Sequence, residues 1–90
     1  MKLSYTQRFL RAYQRLSTEE QTQVNRALRR MEQDLRYPSL HVEKVEGAKG
    51  SGHDILAARA SRSIRFTFEQ RGERILLRTV GKHDDVYRRP

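Results

Sequence analysis

Ninety residues with a net charge of +8 and no cysteine describe one small basic domain, expected to span 1–90 and to bury a single modest core. That composition excludes disulfide staples and thiolate zinc sites and leaves no room for a large internal substrate cavity. No apolar run approaches the ~20 residues that span a bilayer, so no membrane partner is expected.

Fifteen of the nineteen cations are arginine. Arginine's planar fork matches phosphate oxygens and stacks on bases, so nucleic acid or an acidic protein is the expected partner. A secreted domain of this size would usually carry disulfides, and Met1–Thr6 lacks a signal-peptide core. The expected setting is a bacterial cytoplasm.

In chain order, residues 2–5 are expected to form a short edge strand. Thr6 can cap a first helix over about 7–16, with Phe9, Leu10, Tyr13 and Leu16 on one face and Arg8, Arg11 and Arg15 around the rest. Ser17-Thr-Glu-Glu20 has the form of a capping box. It opens a second helix over about 18–36, where Val24, Ala27, Leu28, Met31 and Leu35 repeat at helical spacing. Tyr37-Pro38 ends it, because the residue before proline avoids the helical region. The two helices form a hairpin over about 7–36.

Residues 39–53 show no regular pattern, and Gly47, Gly50 and Gly52 break it further. Gly47–Gly52 lacks the spacing of a phosphate-binding loop. The period then becomes two: Ile64, Phe66 and Phe68 alternate with Arg65, Thr67 and Glu69. Strands are expected over Asp54–Ala60, around Ile64–Phe68 and over Ile75–Val80, joined at Ser61-Arg-Ser63 and Arg71-Gly72. The expected architecture is α+β, with a two-helix hairpin on one face of a small antiparallel sheet over about 54–80.

These turns set Arg59 opposite Arg65, and Arg65 opposite Arg78. Leu56, Ala58, Ile64, Phe66, Phe68, Ile75 and Leu77 then share the core face. Three adjacent arginines repel, and a bridging polyphosphate or acidic segment removes the penalty. The alternative is that they splay into water or pair with Glu69 and Glu73.

Residues 81–90 form a functional tail. Lys82, His83, Asp84, Tyr87 and Arg88 together suit a phosphate-bearing ligand. His83 exchanges a proton near neutrality, Asp84 or Asp85 can tune it, and Tyr87 can stack or donate. Adjacent His83, Asp84 and Asp85 rarely converge on one ion, and His41 and His53 lack ligand spacing. No metal and no cofactor are expected.

The two helices, the basic sheet and the segment Gly81-Lys-His-Asp-Asp-Val-Tyr87 together resemble the RelE/ParE superfamily of toxins from bacterial toxin–antitoxin pairs. The resemblance covers nearly the whole chain and is most specific over Ala57–Phe68 and Ile75–Tyr87. Its RelE-like branch implies a metal-independent endoribonuclease that cleaves messenger RNA, commonly on the ribosome, and is blocked in a hetero-oligomer by an acidic antitoxin. The resemblance matches the family's sheet arginine to Arg65, with Arg59 second. It matches the C-terminal basic or histidine position to Lys82 or His83 and the terminal tyrosine to Tyr87. Some members carry lysines where this chain has Ala57 and Ala58; Lys44 or Lys49 would substitute, and the general base is left unassigned. Arg78 and Arg88 join Lys44, Lys49 and Lys82 as expected RNA contacts. Two other readings stay open: a gyrase inhibitor on the same fold, and a basic nucleic-acid-binding module without catalysis.

Overall fold

A computed structural model describes residues 1–50 and 52–90; Ser51, in the glycine-rich segment, lies outside the described residues. Strand β1 (Lys2–Tyr5) leads into α1 (Gln7–Gln14) and α2 (Thr18–Gln33). Thr6 caps α1 as its spacing predicts: its Oγ1 accepts from the Phe9 amide at 3.0 Å and donates to the Arg78 carbonyl at 2.9 Å. One hydroxyl thus starts the helix and ties it to the sheet. The capping box also forms, with the Glu20 amide 3.1 Å from Ser17 Oγ and the Ser17 amide 2.8 Å from Glu20 Oε1. Replacing Ser17 by Ala should cost about 1 kcal/mol, read as a lower urea midpoint with an unchanged slope.

Helix α2 stops three residues earlier than expected, at Gln33. Asp34 is extended, and its carboxylate accepts from the Arg36 amide at 2.9 Å. This local turn competes with another helical turn before Pro38 is reached.

The remaining strands are β2 (Glu43–Gly50), β3 (His53–Arg59), β4 (Ile64–Arg71) and β5 (Arg74–Lys82), followed by a short helix α3 (His83–Arg88). Sheet order is β1-β5-β4-β3-β2, antiparallel except that β1 runs parallel to β5. Both helices cover one face. Phe9, Val24, Ala27, Leu28 and Met31 pack on Ala58, Ile64, Phe66, Phe68, Ile75 and Leu77. Full burial of each large side chain contributes about 1.5–3 kcal/mol.

Two expectations fail in the sheet. The segment 39–53 was expected to be irregular, yet it holds β2. Glu43 pairs with Ala57 and Gly50 with His53, and the register shifts between Lys44 and Lys49. Gly47, at φ +75°, carries the chain through that irregularity, so the glycines mark a bulged strand.

The second failure is the Arg65–Arg78 pairing. The β4–β5 turn falls at Gly72-Glu73, one residue later than expected, and a bulge leaves Arg78 without a cross-strand partner between Leu77 and Thr79. Arg65 faces Gly81 instead, and Phe66 faces Val80. The expected Arg59–Arg65 and Ala58–Phe66 pairs are present. The core face keeps its membership because the bulge restores side-chain alternation on either side of itself.

Candidate functional site

The displaced Arg78 meets Glu69, which is fully buried on the face away from the helices. Arg71 approaches the same carboxylate at 2.8 Å. Burial would raise the Glu69 pKa, but hydrogen bonds and charge from Arg71 and Arg78 outweigh it and hold the carboxyl below its usual value. Gly50 passes so close that a Cβ there would collide with Glu69 Oε2 and the Arg78 guanidinium. Arg78 Nε also donates to the Pro90 main-chain oxygen at 3.2 Å, which Thr67 Oγ1 reaches at 2.9 Å. Arg78 is thus a structural cation that anchors the tail.

Arg59 and Arg65 are different. Among the described residues neither forms an ion pair. Arg65 Nη1 donates to the carbonyls of Ser61 at 2.8 Å and Arg62 at 3.1 Å, which fixes its fork on the β3–β4 turn. Arg59 Nε is buried without a hydrogen-bond partner among the described residues. Such an orphaned donor points to a missing acceptor.

Both arginines line a cleft of about 330 Å³ with His41, Val42, Glu43, Ala57, Ala58, His83 and Tyr87. Helix α3 supplies His83 and Tyr87 one turn apart, on one face. Their rings stack at 4.4 Å and 10°. Asp84 Oδ1 lies 3.2 Å from His83 Nδ1. An ionised carboxylate only accepts, so Nδ1 carries the hydrogen and Nε2 is left for proton exchange.

Tyr87 donates its hydroxyl proton to Glu43. Burial, with the Glu43 hydrogen bond and charge adding to it, pushes the phenol up to about 12, against the opposing pull of Arg65 and Arg59. A raised folded pKa adds stability that is complete below the ordinary value of 10 and is lost as pH rises through about 12. Burial also raises the Tyr5 phenol, so an ultraviolet titration should show late-titrating tyrosine, of which the part near pH 12 disappears in Tyr87→Phe.

The cleft thus gathers Arg59, Arg65, His83 and Tyr87 from the residues singled out in the sequence. It does not include the others. Lys44 and Lys49 both face Asp54, at 3.8 and 3.6 Å. Arg88 lies 3.8 Å from Asp85, and Lys82 sits at the start of α3 on its other side. Sequence reasoning missed Glu43, because it lies on the unrecognised β2, and passed over His41. The available signal was Glu43 and Val45 at strand spacing. His41 has left-handed backbone (φ +45°), a conformation histidine tolerates better than most residues.

No helix among the described residues is long and apolar enough to cross a membrane, and no group of His, Cys, Asp or Glu among them gathers to hold a metal.

Neither a family model nor a curated protein sequence matches the chain. Solved structures do. The RelB-RelE antitoxin-toxin complex from Methanococcus jannaschii aligns with a TM-score of 0.71 at 13% identity, over 93% of this chain and 94% of that one. A YoeB/ParE toxin from Agrobacterium tumefaciens aligns at 0.69 and 20% identity, over 92% and 99%. The E. coli DinJ-YafQ toxin-antitoxin complex aligns at 0.71 and 8% identity, over 94% of both chains. The chain therefore has the fold of the RelE/ParE-like toxins of toxin–antitoxin pairs.

Proposed function

We propose that this chain is the toxin of a toxin–antitoxin pair and acts as an endoribonuclease on messenger RNA, with the cleft as its active site. The observation that carries this reading is the meeting of two cations without ion-pair partners among the described residues, Arg59 and Arg65, with a carboxylate and a histidine in one cleft. RNA cleavage by its own 2′-hydroxyl needs a base for that hydroxyl, an acid for the leaving 5′-oxygen and cations for the phosphorane. Glu43 takes the 2′-hydroxyl proton as the oxygen attacks phosphorus. Arg59 and Arg65 hold the charge that accumulates on the phosphoryl oxygens. His83 gives its proton to the departing 5′-oxygen. The products are a 2′,3′-cyclic phosphate and a 5′-hydroxyl; the RNA supplies the nucleophile and the leaving group, and the chain supplies the base, the acid and the cations. Tyr87 fixes Glu43 by its hydrogen bond and His83 by stacking, so only its other ring face remains for a base.

The toxin assignment draws support from neighbours crystallised with antitoxins. An acidic antitoxin is the partner that a +8 chain with this cleft suits. The ribosome as the place of cleavage fits a shallow cleft that relies on a larger machine to order its substrate. The test is expression in bacteria without an antitoxin, with messenger RNA 5′ ends mapped and gyrase supercoiling assayed alongside. Growth arrest with new 5′ ends, relieved by His83→Ala and by Arg65→Ala, is expected. Full toxicity of both variants while folded, or intact RNA with trapped gyrase, overturns the reading.

A further inference from the structure

A second concavity lies on the other side of α3, between α1 and the end of β5, with a volume of about 830 Å³. It shares no lining residue with the cleft. Six cations line it: Arg8 and Arg11 from α1, Arg15 at its C-cap, Lys82 before α3, Arg88 in its last turn and Arg89 after it. Its two carboxylates are already engaged, Glu20 by the Ser17 amide and Asp85 by Arg88 at 3.8 Å. Arg8 is crowded enough that burial, then the charges of Arg89 and Arg78, lower its pKa.

We infer that this groove binds the sugar–phosphate backbone of the RNA beyond the nucleotide held in the cleft, so that α3 separates the cutting site from a backbone track. The inference rests on the RNA reading of the cleft. Continuity supports it: Lys82 on the groove and His83 on the cleft are adjacent in the chain, so one strand passing the start of α3 meets both. The lining contains no aromatic residue, so it suits phosphates and offers no platform for bases. An amphipathic peptide fits less well. Ile64, Val80 and Val86 in the groove wall are already buried in the fold, which leaves the partly exposed Ala12 and Leu16 as the apolar surface for such a partner, against six cations.

The test uses the whole chain and the double variant Arg11→Gln with Arg15→Gln. Both residues are exposed, Arg11 on α1 and Arg15 at its C-cap, and glutamine is a good helix former. The probes are a non-cleavable 2′-O-methyl RNA of twelve nucleotides, a trinucleotide of the same kind, and a glutamate-rich twelve-residue peptide. For the long RNA, the slope of log K against log salt should fall by about 1.4, two contacts at about 0.7 each, with a loss of roughly tenfold in affinity near 0.1 M salt. Trinucleotide binding, read by NMR shifts, should not change. Equal losses for both RNAs, or none, overturn the track while leaving the cleft reading intact. So does tighter binding of the peptide than of the long RNA that the variant alone abolishes. No binding of either RNA by the unaltered chain overturns both readings together.

Discussion

Replacing His83 by Ala is expected to lower the single-turnover rate of RNA cleavage by about 10²–10⁴-fold, the usual contribution of one positioned proton donor. Glu43→Gln should lose a similar amount, because an amide cannot take the 2′-hydroxyl proton. The two losses should be far from additive, since acid and base serve one displacement. Both side chains are exposed, so both variants should unfold at the urea concentration of the parent. A full rate in Glu43→Gln would remove Glu43 from the chemistry and leave Tyr87's hydrogen bond as its only purpose.

The largest effect on stability is expected at Arg78. In Arg78→Met the fully buried Glu69 keeps Arg71 at 2.8 Å, with His53 Nδ1 at 3.9 Å. Removing one partner of a buried pair costs about 3–5 kcal/mol, and the low end applies because Arg71 remains. The pH dependence should weaken. In the parent, the lowered Glu69 pKa gives stability that is present above the ordinary value of 4.5 and is lost as pH falls through the folded value. In the variant one of the two arginines that lower the Glu69 pKa is gone, while burial still opposes ionisation. The deficit should then shrink on acidification, as Glu69 takes up a proton. Urea midpoints at a series of pH values separate the two. The same variant removes one of the two donors to the Pro90 oxygen, leaving Thr67 Oγ1, and so loosens the tail after α3; its cleavage rate should fall as well.

Arg78 also shows where the sequence stops being legible. The caps at Thr6 and Ser17 and the alternation from Ile64 to Phe68 are local, and each formed where its spacing predicts. The bulge at Arg78 depends on which residues two strands exchange, and no local pattern announces it. Strand β2 was hidden for a related reason: Gly47 and Gly50 read as breakers, yet one carries a bulge and the other gives room to Glu69. The cleft was half legible. Arg59 and Arg65 came from a correctly placed turn, and His83 and Tyr87 from their concentration in the tail. Glu43 reaches Tyr87 from 44 residues away, which only the folded sheet reveals.

The central claim is that one cleft holds the base, the acid and the cations for RNA cleavage by the 2′-hydroxyl. The most direct measurement is the chemistry of the cut ends. Purified chain is incubated with a messenger RNA, free and in translating ribosomes, and the products are analysed for their termini. The account predicts 5′-hydroxyl and 2′,3′-cyclic phosphate ends in at least one of the two settings, lost together in Glu43→Gln and His83→Ala. Intact RNA in both settings, or 5′-phosphate ends that persist in the two variants, would contradict it.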